Sequence, residues 1–208
     1  MNQLFDLLKS QLDDNMIDQL SEQLGGADKE QTAIAANGAL SSMLAGLTKN
    51  ASQGGASSLL GMLDRDGDGS VFDDFQDILS GNKAPANANA LNGSSMLEQI
   101  FGGKQSNMID MISRMSGLNS GQSGTLMEKL APMLMGALTK VKSQANLDEA
   151  GLSNVLNGTL EAQRQQSPLG GKELDAFSSL LDQDGDGDIM DDLQNMGKGL
   201  LGSFFGRR

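Results

Sequence analysis

"LDRDGDGSVFDD", residues 63–74, gathers five aspartates and two glycines into twelve positions, and a near copy, "LDQDGDGDIMDD", fills residues 181–192. So many carboxylates in one turn repel each other. Two like charges about 4 Å apart oppose by roughly 1 kcal/mol in water and by several at protein-like dielectric. A hard divalent cation set among them reverses the sign. Calcium fits such a turn, since it takes about 6–8 oxygens at about 2.3–2.6 Å.

The register of the aspartates follows that geometry. In the first loop Asp64, Asp66 and Asp68 stand at positions 1, 3 and 5, and Gly69 at position 6 allows a sharp turn. Ser70 offers its backbone carbonyl at position 7, and Val71 follows as an apolar plug. Asp182, Asp184, Asp186, Gly187, Asp188 and Ile189 repeat the register. Both loops resemble calcium loops of the EF-hand and dockerin type. Those close with a carboxylate at position 12, where this chain has Phe75 and Leu193. Asp74 and Asp192 are therefore expected to complete the shell from position 11. Asp73 and Asp191 are expected to cap the exit helix and meet its positive dipole end. Two rival readings exist, an Asp/Gly turn without metal and the D-x-D of phosphotransfer enzymes. The second sits at the end of a parallel strand, which the surroundings here do not suggest. Magnesium is less suited than calcium, because it prefers fewer protein oxygens in a stricter octahedron.

Those surroundings read as helix. Leu4, Leu7, Leu8 and Leu12 recur at helical spacing, as do Met16, Ile17, Leu20 and Leu24. Gly25 and Gly26 stop that run, and Asp28 with Gln31 three residues on has the spacing of a capping box. Leu40, Met43, Leu44 and Leu47 mark the next apolar face. No stretch alternates β-branched and polar residues, so the expected fold is all-α.

Internal echoes divide the chain. "NMID" at 15–18 returns at 107–110, and "LSSMLAGLTK" at 40–49 returns as "LAPMLMGALTK" at 130–140. Residues 81–95, "GNKAPANANALNGSS", have linker chemistry. The expected plan is two related helical halves, each ending in a helix–calcium loop–helix unit. The first half spans 1–80 with its loop at 64–75. The second spans 96–208, with an inserted helical hairpin at about 141–168 and its loop at 182–193.

Composition removes several functions. The chain has no His, Cys, Trp or Tyr. Without His or Cys there is no Cys/His zinc site, thiol nucleophile, disulfide framework or Ser-His-Asp triad. The formal net charge of −12 is concentrated: the two loops hold 11 of the 27 acidic residues, leaving 16 against 15 Lys and Arg. A nearly neutral body with two acidic spots is a poor nucleic-acid partner. No run approaches the roughly 18 apolar residues of a transmembrane span. The opening residues lack a secretory signal pattern, so a cytoplasmic protein, or one exported without a cleavable signal, is expected.

"LFDLLKSQL" at 4–12, "FGGKQ" at 101–105, "MLMGALTKVK" at 133–142 and "SLLDQDGDGDIMDDL" at 179–193 resemble a bacterial family of unknown function, number 937, over nearly the whole length. The resemblance implies a bacterial source and a duplicated helical plan, and no activity. The expected function is a non-catalytic calcium-binding helical protein with two sites that stabilise the fold. An alternative is a calcium-responsive protein that exposes a surface around Met16, Met43, Met62, Met108, Met111, Met115, Met133 and Met135, or the tail "GLLGSFFGRR", to a protein partner or a second copy. Those methionines read more readily as filler in a Gly/Ala-rich core. A metal-dependent hydrolase is a remote alternative, because no residue outside the loops stands out as catalytic.

Overall fold

The computed structural model describes residues 3–65, 70–83 and 92–166. Among them the chain is all-α, with ten α-helices and no strand. Helices α1 (Gln3–Gln11) and α2 (Asp14–Gln23) bury Leu4 and Leu8, and Met16, Ile17 and Leu20, the faces that the spacing marks. Gly25 and Gly26, with φ of 83° and 76°, end that segment in a conformation that side chains resist. Asp28 then caps α3 (Lys29–Asn50), its carboxylate accepting from Gln31 N at 3.0 Å.

Helix α3 is buried round most of its circumference from Ala35 to Thr48, which marks it as central. Its buried hydroxyls return to the backbone. Thr48 Oγ1 donates to Leu44 O at 2.7 Å and Ser42 Oγ to Ala39 O at 2.8 Å, so neither lacks a partner. A π-helical turn (Ala51–Gly55), bent at Gly54 with φ of 89°, leads into α4 (Ala56–Arg65). Two short helices follow, α5 (Ser70–Asp73) and α6 (Phe75–Leu79).

The second half repeats the first three helices in order. Helix α7 (Gly93–Phe101) buries Met96, Leu97, Ile100 and Phe101, and its first residues lie in the stretch that reads as linker. Helix α8 (Gln105–Ser116) buries Met108 and Ile112 and ends at Gly117 with φ of 84°, as α2 does at Gly25. Asn119 and Gln122 form a reciprocal capping box at the start of α9 (Ser120–Ala145), the counterpart of Asp28 and Gln31. Stretch 141–168 contains the last turn of α9, a reversal at Asn146 with φ of 47°, and α10 (Glu149–Gln166).

The halves cover one another. The central helices α3 and α9 pack together, α1 lies on α9, and α7 lies on α3 as well as on α9. Helix α4 packs on α9, whereas α10 packs on α3 and α4. The turns interlock in the same reciprocal way. Gln122 Nε2 donates to Leu24 O at 3.0 Å, while the Gln31 amide lies against Gly117. Neither half encloses its own long helix.

Small residues set the distances. A methyl at Gly46 would stand 2.7 Å from Ile100 Cγ2, and one at the equivalent Gly136 would stand 2.9 Å from Phe72 N. Pro132 lies inside α9 and has no N–H for the Glu128 carbonyl one turn earlier. Gly93 meets that oxygen, which lies 1.8 Å from where its Cβ would be.

An alanine in a helix interior normally stabilises relative to glycine by about 0.5–1 kcal/mol. Gly61→Ala, exposed on α4 with nothing within 4 Å of the new methyl, is expected to follow that rule. Gly136→Ala is expected to lower stability by about 1–3 kcal/mol through overpacking. Urea titrations of both variants check it, and the same sign in both would remove the close approach.

Candidate metal centre

The described parts of the first aspartate loop are its two ends, and α9 holds both. Leu59 and Leu63 fix the end of α4 in the core, with Asp64 just beyond them. On the far side Phe72 is buried, and its backbone reaches α9 at Gly136, where the missing side chain admits it. Phe75 is also buried. The side chain of Val71, the expected plug, lies outside what the structure describes. Gln23 Nε2 donates to Leu79 O at 2.5 Å and ties the end of α6 to α2.

Three ammonium groups sit on the described carboxylates of the loop. Lys142 pairs with Asp64 Oδ1, Lys140 with Asp73 Oδ1, and Lys83 with Asp74 Oδ2 at 2.5 Å. Lys140 Nζ also stands 5.5 Å from the centroid of the Phe72 ring, within cation–π range. Lys142 is 19% exposed and Lys140 25%, while Asp64 remains 65% exposed. Their stems lie against the protein and their heads reach the loop, the usual posture of a long cationic side chain on an apolar surface.

Asp73 is the last residue of α5, and Lys140 holds its carboxylate. Asp74 stands immediately before α6, its carbonyl accepting from Ile78 N at 2.9 Å. The position ahead of the second exit helix therefore belongs to Asp74 rather than Asp73.

Carboxylate oxygens are the donor type that hard cations take, and those of Asp64, Asp73 and Asp74 are paired with lysines. Among the described residues, no three acidic side chains lie close enough together to hold a metal ion. Asp66 and Asp68 lie outside the described residues, and Ser70 enters only as the first residue of α5. Asp182, Asp184, Asp186, Asp188, Asp191 and Asp192 all lie outside them, as does the C-terminal tail.

The lysines were not singled out by sequence reasoning. A signal existed in the echo that ends "LTK" in both halves and continues "VK" in the second, placing cations just past the most buried part of a central helix. Met16, Met43, Met108, Met133 and Met135 are core residues, and Met62, Met111 and Met115 are partly buried. Among the described residues the exposed large hydrophobic is Ile34. No described helix is long and apolar enough to cross a membrane.

A family model described as bacterial protein of unknown function (DUF937) matches residues 6–141 and again 142–208. The chain belongs to this family. No curated protein and no solved structure matches it. Each DUF937 segment contains one aspartate loop, and the two matches agree with a two-part repeat. The junction between them falls inside α9, so it marks a limit of the DUF937 match and not a break in the fold.

Phe72→Ala is expected to lower the stability of metal-free protein by about 3 kcal/mol, since it removes the anchor of α5. Asp64→Asn, which removes an exposed partner of Lys142, should lower it by about 1 kcal/mol or less. Urea titration in EDTA checks both, and a larger loss from Asp64→Asn would mean that the ion pair, not the ring, holds the loop to α9.

Proposed function

We propose that this protein is a non-catalytic calcium-binding helical protein, in which one ion in each aspartate loop staples the helices that flank it. The observation carrying this reading is the D-x-D-x-D-G register, present twice, with the first copy entered from α4 and left through α5. Both flanking helices rest on α9, so an ion bridging the ends would join elements already positioned for it. Carboxylate, serine carbonyl and solvent oxygens suit calcium in number and hardness. Binding to the folded state alone raises stability by about 2.7 kcal/mol at a hundredfold excess over the dissociation constant.

Far-UV circular dichroism melts of metal-stripped protein test the reading. With calcium the midpoint should rise by many degrees over EDTA, and magnesium should do little. Asp68→Ala and Asp186→Ala should each remove part of the rise. A midpoint indifferent to calcium, or variants that melt like the parent in calcium, would overturn it.

A further inference from the structure

The bend between α3 and α4 leaves helical geometry at Gln53 and Gly54 alone. Asn50, Ala51 and Ala56 keep right-handed helical angles, and Gln53, with φ of −89° and ψ of 16°, stays near them. Gly54, with φ of 89°, makes the break. Gly55 admits it, because a methyl there would stand 2.8 Å from Asn50 O. The bend therefore needs both glycines. An unbroken helix needs neither and takes alanine more readily. Ser52, Gln53 and Gly54 are exposed, so straightening the turn uncovers no core at these positions.

The seats of α1–α3 lie beyond that turn. Helix α3 packs on α7, α8, α9 and α10, and α1 on α9 and α10. Helices α4 and α5 rest on α9 as well, so both sides of the bend are held by the second half. A second copy of the chain offers the same seats. We propose that the Gln53–Gly54 bend is a hinge through which two copies of this chain exchange α1–α3. In the dimer α3 and α4 form one continuous helix, and α1–α3 of each chain pack on α4–α10 of the other. The exchanged unit is N-terminal, so one hinge per chain suffices. Contacts made within the closed chain are remade between chains, and the bend is replaced by regular helix. Lost freedom on association opposes the dimer, so protein concentration and the hinge set the balance. The exchange does not depend on calcium in either loop.

Refolding of the full chain from urea over a range of protein concentrations, followed by size-exclusion chromatography with light scattering, tests this. The dimer should grow with concentration in the parent. Alanine disfavours the left-handed angle and favours helix, by about tenfold together at each hinge. Gly54→Ala should therefore raise the dimerisation constant about a hundredfold, since the dimer holds two hinges. Gly55→Ala should act in the same direction, and Gly61→Ala, with open space around its methyl, should match the parent. Spin labels at Glu30→Cys and Gly61→Cys, both exposed, read the hinge directly. Labelled chains are diluted with unlabelled ones before refolding, so that pulsed dipolar spectroscopy sees pairs within one chain. Their separation should lengthen to about 46 Å in the dimer, the rise of one helix over that span. A Gly54→Ala protein that folds and stays monomeric at every concentration would overturn the exchange. So would a dimer whose distance within each chain equals that of the monomer. Should Gly54→Ala fail to fold, the refolding and the label distance of Gly54-containing chains decide.

Discussion

The buried contact between α3 and α9 determines where the other described helices can lie. Each is buried round most of its circumference over its middle turns, so each is enclosed rather than merely flanked. Each is covered by helices of both halves. The chain resolves this by exchange, with α1 and α4 on α9, and α7 and α10 on α3. Gly46, Gly93 and Gly136 are the points where such enclosure needs backbone to approach closely, and a side chain at any of them would collide. The duplicated sequence therefore yields one interlocked body among the described residues, not two units in series.

The aspartate loop inherits its setting from that exchange. Because α4 and α5 dock on α9, the acidic ends of the loop meet the lysines beyond the buried part of that helix. Repulsion among the described aspartates is thus offset within the chain, at an exposed edge where each pair adds little stability. Phe72 and Phe75 supply the burial, and the charges supply local balance.

Much of the fold was legible in the sequence. The leucine and methionine spacings marked the buried faces of α1, α2 and α3, and Asp28 marked a helix start, because these features depend on local geometry. What could not be read was which half covers which central helix. Apolar periodicity says that a face is buried and not by whom. The start of α7 was hidden for another reason. Asn92 caps it by accepting from Ser95 N at 3.0 Å, within an Asn- and Ala-rich stretch that composition alone assigns to a linker. Gly93 serves there to meet Glu128, a contact with no local signature. In the candidate site the aspartate register was plain, while the lysine partners lie 67 and 78 residues away from Asp73 and Asp64.

The exchange of covers also bears on how the chain is made. Synthesis proceeds from the N-terminus, and domains generally fold as units when their contacts become available. Helix α1 and the first aspartate loop both rest on α9, which begins only at Ser120. When the first half leaves the ribosome, its own long helix lacks α7 and α10, and its loop lacks the lysines of α9. The first half therefore waits for the second, and the early-made aspartates stay uncompensated by Lys140 and Lys142 until α9 has emerged.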